Sequence, residues 1–318
     1  MTAGWVAAST RGRSLLHRTI GADTARTLAT ADSWHEARAQ LATSMYGASL
    51  PADADRRTAR AVSSEATVWQ LRVLAGWLPP ASSGLARTFA APVEIADIDR
   101  HLARLDRVGN PTVRSGGVDV PQPVPLGSLA TAWPRVARAT GLDQVRSALA
   151  RSPWGDPGGT DRAAIGVALR VAWGRRLVRQ APVTTDWVHG AAAVLIARER
   201  FLFGREIPET PARTLDQLLG TTWHRASSVD SLADDLPRSA SWSLAAAGSS
   251  ADGLWQSELA VIRRVGDDAT TIVGSGRNGR DTVAAVMALL LVDLWRVVAA
   301  IESAGRAFVP AEVFDDVA

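Results

Sequence analysis

The chain has 318 residues, 47% apolar and 21% charged, an ordinary globular composition on a chain long enough to bury a substantial core, with about two domains expected from length. It contains no cysteine, which excludes disulfides and thiolate metal sites and favours an intracellular setting. All 35 basic residues are arginine, yet with 32 acidic residues the net charge is only +3, too small to mark a nucleic-acid-binding chain by charge alone.

Taken in chain order, the segments read as helices. The N-terminal stretch MTAGWVAASTRGRSLLHR has no apolar core followed by a cleavage site, so no signal peptide is expected. Ser33 is placed to cap a short helix, with Glu36 completing a capping box; Gly47 ends that element and Pro51 follows. A long helix is expected over Thr58–Leu78, stopped by Pro79 and Pro80. Another is expected from Pro92, with Ile95, Ile98, Leu102 and Leu105 as its stripe and Glu94, Asp97 and Asp99 in its first turn, where the helix dipole favours acids. Asp106–Ser128 is rich in Gly and Pro and reads as a long loop, extended at Pro121, Pro123 and Pro125. Leu142–Leu149 is a second short helix, broken by Ser152–Gly159. A long helix then carries Ile165, Leu169, Trp173 and Leu177 up to Pro182, and the next covers Asp186–Phe203. Ser228 caps a third short helix. Leu254–Val265 and Asp281–Ala304 follow, with Thr270–Val273 between them as the one strand-like run. The apolar run Val283–Val292 is ten residues long, half of a membrane span, and reads as a buried helix of a soluble protein.

A pattern recurs along this series. Trp34–Gly47 and Leu142–Gly155 lie 108 positions apart and match without gaps at Arg38/Arg146, Leu41/Leu149, Ala42/Ala150, Ser44/Ser152 and Gly47/Gly155, with Tyr46 opposite Trp154. A fainter copy starts at Val229, 87 positions after the second, keeping Leu236 and Ser239 in register and ending on Trp242. The spacing i, i+3, i+7 of the apolar triads is common to any amphipathic helix; the added Ser and the aromatic–Gly ending make a repeat. Three consecutive lobes are expected, residues 1–131, 132–220 and 221–318, pointing to an architectural part and not to one catalytic centre.

Several features invite a sharper chemistry. Gly274–Gly279 matches G-x-G-x-x-G after the strand-like run, with Asp293 near the spacing of a ribose-binding acid, but the following residues offer no second strand for a dinucleotide fold; a Gly-rich loop before a helix is the better reading. The five histidines (His17, His35, His101, His189 and His224) have no metal-ligand spacing, so neither a metal nor a cofactor is expected. No nucleophile elbow is present, so no catalytic residue is assigned. Twelve tryptophans are unusual; Trp69, Trp77, Trp173, Trp187, Trp255 and Trp295 lie on apolar helices and are expected in packing, not stacked on bases. Four arginine groups stand out. Arg11/Arg13/Arg18 and Arg198/Arg200/Arg205 read as solvated faces; Arg56, Arg57 and Arg60 with Arg175, Arg176 and Arg179 are the candidate interface to an acidic partner.

The succession YGASL (Tyr46–Leu50), LAGWLPP (Leu74–Pro80), VEIADIDRHLARL (Val93–Leu105), LGSLATAWP (Leu126–Pro134), ALARSPWGDPGG (Ala148–Gly159) and LLVDLWRVVAAIESAGR (Leu290–Arg306) resembles the stalk-to-ring adaptor family of V/A-type rotary ATPases, found in bacteria and archaea and, as the membrane-sector counterpart, in eukaryotes. The resemblance spans nearly the whole chain and rests on the order of elements, since the family has no catalytic signature. It implies an all-α, funnel-like protein of three similar lobes. Such a protein is a non-catalytic rotor adaptor between the central stalk and the membrane rotor ring. It transmits torque for proton or sodium transport on the cytoplasmic face of the membrane and touches the membrane only through its partners in the complex. A nucleotide-dependent enzyme using Gly274–Gly279 and a helical scaffold or regulator without a rotary role are the alternatives.

Overall fold

A computed structural model describes residues 3–109 and 122–306, and all regular structure among them is helical. The expected loop therefore lies largely outside the described residues; its first residues, 106–109, belong to a helix, and its end carries a 3-10 turn at Gly127–Leu129. The α-helices are α1 (Ala3–Leu16), α2 (Gly21–Ala29), α3 (Trp34–Ala42), α4 (Arg56–Trp77), α5 (Ser83–Gly109), α6 (Trp133–Val136), α7 (Leu142–Ala150), α8 (Arg162–Gln180), α9 (Thr185–Ala197), α10 (Glu209–Leu219), α11 (Val229–Asp235), α12 (Arg238–Ser241), α13 (Leu254–Gly274) and α14 (Arg280–Ser303).

The chain forms two compact units. One gathers α1 to α4 and α14 with the start of α5 and the end of α13; the other holds the rest of α5, α6 to α12 and the start of α13. The three consecutive segments read from the sequence cross these boundaries. In the first unit α14 packs against α1, α2 and α4. It is long and apolar enough to cross a membrane by length and composition, but Val283 to Met287 are fully buried against protein.

Three buried clusters each form around one of the short helices. Ala37, Leu41 and Tyr46 pack with Ala25, Leu28, Ala59, Val297 and Ile301. Val145, Leu149 and Trp154 pack with Ile95, Ile98, Leu102, Ile165 and Leu169. Val229, Leu232 and Leu236 pack with Ile196, Leu215, Trp223 and Leu244. A short helix of seven to nine residues has too few internal hydrogen bonds to stand alone. Packing its apolar stripe between longer helices makes it stable, and truncating a buried leucine such as Leu41 or Leu149 removes about 2–5 kcal/mol.

The repeat holds at atomic detail in its first two copies. Ser44 Oγ donates to Leu41 O at 2.7 Å and accepts from the Tyr46 N–H at 3.2 Å; Ser152 Oγ donates to Leu149 O at 2.7 Å and accepts from the Trp154 N–H at 3.1 Å. The hydroxyl thus closes the helix and starts the turn that drops an aromatic ring into the core: Tyr46 is 0% exposed and Trp154 4%. Aspartates cap the long helices that follow, Asp55 accepting from Thr58 N and Asp161 from Ala164 N. In the third copy the short helix stops at Asp235, since Pro237 cannot continue it; Ser239 instead meets His189 at 2.9 Å, and its carbonyl accepts from the Trp242 indole.

Three expectations change. The helix placed at Pro92 begins at Ser83 and runs through the proline, because Leu85, Ala86, Phe89 and Ala90 are buried and hold the preceding turns in place. Thr270–Val273 is helical, not a strand: α13 continues to Gly274, with Ala269 fully buried, so packing overrides the β-branched preference. Trp69, Trp77 and Trp255 are 59%, 50% and 45% exposed, whereas Trp187 is buried. On α4 the buried face is Ala59, Ser63, Thr67, Gln70, Leu71 and Leu74, so small and polar side chains occupy the interior and the tryptophans face outward.

Candidate functional site

Two buried carboxylates organise the regions around the short helices. Asp293 sits mid-way along α14 and is 2% exposed. Its Oδ2 accepts from Ile20 N at 3.0 Å and from the Tyr46 hydroxyl at 2.6 Å, and its Oδ1 accepts from Gly21 N at 2.9 Å. Burial and the neighbouring Asp293 push the Tyr46 phenol well above its usual range, so it stays a neutral donor. Glu94, on α5 and 0% exposed, accepts through Oε1 from the N–H groups of Thr131, Ala132 and Trp133 at 2.8, 2.7 and 2.7 Å. Each carboxylate thereby supplies the acceptor that backbone N–H groups at the start of α2 or α6 lack within their own helix. The acids expected in a first helical turn are therefore interior residues of α5, because that helix starts eight or more residues earlier. Asp97 is buried beside Arg100, and Asp99 pairs with Arg170 at 2.7 Å.

The six arginines proposed as an interface divide. Arg56 reaches the end of α14, donating to Ile301 O at 3.1 Å and Ala304 O at 2.5 Å, with its guanidinium 5.3 Å from the Trp34 ring centroid. Arg176 lies 4.8 Å from the Trp154 centroid and donates to Thr131 Oγ1 at 3.4 Å. Both therefore hold the regions around the short helices together. Arg60 pairs with Glu302 at 2.9 Å, and Arg57 is half-buried. Only Arg175 and Arg179, four residues apart on α8, are exposed with no partner among the described residues. The six are thus not brought together into one surface: Arg56, Arg57 and Arg60 belong to the first unit and the others to the second.

The Gly274–Gly279 loop joins two helices and follows no strand. Its amide at Gly279 donates to Ser9 Oγ at 3.1 Å, and Arg13 holds Asn278 Oδ1 at 2.8 Å and Arg277 O at 2.5 Å. The backbone donor that a phosphate would need at the start of α14 is therefore used by α1, and the acid expected to bind ribose, Asp293, clasps α2.

A feature with no signal in the repeat pattern is a groove of about 480 Å³ between α6 and α7, lined by Arg135, Arg138, Arg151, Asp143, Gln144 and Ser147. The three arginines are scattered singly in sequence, and only the turn after α6 brings them to one wall. Nearby, Arg146 forms a two-pronged pair with Asp156 at 2.9 and 3.0 Å, which raises the guanidinium and lowers the carboxyl from their ordinary ranges.

The histidines do not converge. His101 is buried, Nε2 donating to Ala139 O at 3.1 Å and Nδ1 accepting from Arg104 at 2.8 Å; burial and then the arginine lower its pKa. Among the described residues no group of three or more His, Asp or Glu is placed to hold a metal ion. Searched against known proteins, the chain matches no family model and no curated sequence.

Proposed function

We propose that this chain is a non-catalytic rotor adaptor of a V/A-type rotary ATPase, joining the central stalk to the membrane rotor ring on the cytoplasmic face of the membrane. The observation that carries the reading is the repeated construction of the helical regions. The Ser-closed short helix, the buried aromatic and the Asp-capped long helix recur at 108 positions' separation, and a third buried cluster gathers around Val229–Asp235. In this reading the three clusters are the cores of three pseudo-equivalent lobes in a funnel-like arrangement, which gives a shaft a ring of similar footings. Close-packed helices clasped by buried carboxylates resist shear, as a torque-bearing part must. The burial of α14 supports attachment to the membrane through other proteins of the complex.

The nucleotide-dependent alternative is weakened by the engaged amide of Gly279 and by the helical approach to the loop. A helical scaffold without a rotary role shares the architecture and differs in partners alone. Affinity purification of the tagged chain from membranes in mild detergent is the deciding measurement. Stalk and rotor-ring proteins should co-purify stoichiometrically; recovery of the chain with neither, from membranes that contain the assembled ATPase, would sink the proposal.

A further inference from the structure

We infer that the groove between α6 and α7 is a binding site for a phosphate-bearing anion, an assignment that goes beyond the rotor reading and does not depend on it. Three arginines, Arg135, Arg138 and Arg151, line a groove of about 480 Å³, all three exposed and none within ion-pair distance of a carboxylate among the described residues. Asp143 is the only acid on its wall, so the lining carries an excess of positive charge that nothing in the described chain neutralises. Held in one concave wall, like charges repel, and an anion relieves that repulsion.

The remaining lining is rich in donors. Gln144 Oε1 accepts from Thr140 N at 2.9 Å and Thr140 Oγ1 at 3.2 Å, which leaves its amide hydrogens for an outside acceptor. Ser147 adds an exposed hydroxyl. Guanidinium forks, amide hydrogens and a hydroxyl match the several oxygens of a phosphate group, which accepts from many directions at once.

The repeat shows that the scaffold does not require this charge. At the corresponding places in the first copy, 108 positions earlier, stand Thr27, Thr30 and Thr43 where the second copy has Arg135, Arg138 and Arg151. The surrounding frame is nevertheless the same: Leu28 and Val136, and Ala31 and Ala139, are buried in both. In the third copy, 87 positions later, the places fall on Thr222, Arg225 and Arg238, and Arg225 faces Asp235 at 3.4 Å. The uncompensated cluster therefore belongs to the second copy, as an addition to a frame that folds without it.

The test uses the full chain. Titration with inorganic tripolyphosphate is followed calorimetrically, and sedimentation is measured with phosphatidylcholine vesicles with and without phosphatidic acid. Binding of tripolyphosphate, weakened at least tenfold in the triple variant Arg135→Gln/Arg138→Gln/Arg151→Gln, supports a soluble phosphate compound as ligand. Binding to phosphatidic-acid vesicles alone, lost in the same variant, supports a lipid headgroup. Both arms should weaken as salt is raised. Arg225→Gln/Arg238→Gln, at the equivalent places of the third copy, should bind as the unaltered chain does. Because the three side chains are exposed, the triple variant should melt at the parent temperature, which separates lost binding from lost folding. Equal affinity of parent and triple variant for both probes, or tighter binding of a polyglutamate peptide than of either, would overturn the assignment.

Discussion

At the scale of single residues, the buried acids matter most. Glu94 gives three backbone amides their acceptor through one oxygen, and Asp293 serves two amides and a phenol. Removing either carboxylate leaves several buried donors without partners. Glu94→Ala and Asp293→Ala should each lose about 3–5 kcal/mol in urea denaturation, whereas Glu94→Gln, which keeps an oxygen near the same amides, should lose about 1–2 kcal/mol. Equal losses for Gln and Ala at position 94 would show that the clasp does not act through its acceptor. His101 adds a pH dependence of definite sign. Its neutral form donates to Ala139 O and accepts from Arg104, and protonation would turn the accepting nitrogen into a second donor against a guanidinium. Burial lowers its pKa in the folded chain below the ordinary 6.5, and His189 is lowered in the same way. Between the folded and unfolded values the unfolded chain binds more protons, so stability is full above about 6.5 and declines as pH falls below it. The urea midpoint should drop between about pH 7.5 and about pH 5.5, and His101→Gln, which supplies a neutral donor and acceptor, should flatten part of that drop.

At the scale of elements, the sequence showed helices wherever periodicity and caps agreed. Ser33, Ser228 and Asp161 cap as their side-chain chemistry dictates, and Gly47 ends its segment because a Cβ there would stand 2.2 Å from Leu41 O. Boundaries failed where long-range packing overrode a local signal. Pro92 lies inside a helix whose buried residues flank it on both sides, and Thr270–Val273 stays helical although every side chain in it is β-branched. The carboxylate clasps were visible only as anomalies, single acids within the apolar runs Val93–Ile98 and Leu290–Leu294, because their partners lie 37 to 39 and 247 to 273 positions away. The arginine groove was invisible for a related reason: residues spaced at 135, 138 and 151 share no helix face, and only the turn between α6 and α7 joins them. The groups that did stand out in sequence, Arg56 and Arg176 among them, proved to be half-buried supports stacked on tryptophan.

At the scale of the whole molecule, the order in which contacts close differs between the units. The first unit needs α14, near the end of the chain, to meet residues near its beginning; the bond from Gly21 to Asp293 spans 272 positions and that from Arg13 to Asn278 spans 265. The second unit is tied by far shorter loops, such as 37 to 39 positions for the Glu94 clasp and 71 for Arg170 with Asp99. Closing a longer loop costs more chain entropy before any contact rewards it, and folding rates fall as contacts become less local. On refolding from urea, pulsed hydrogen exchange should therefore find amides of α6 to α9 protected before those of α2 and α14, with Ile20 and Gly21 among the last. Mutating Asp293 should slow only the late phase, since its clasp forms when α14 docks, while mutating Glu94 should slow the early one. Protection of both units in a single phase, unchanged by either substitution, would mean that the closure of α14 on α2 does not limit the first unit.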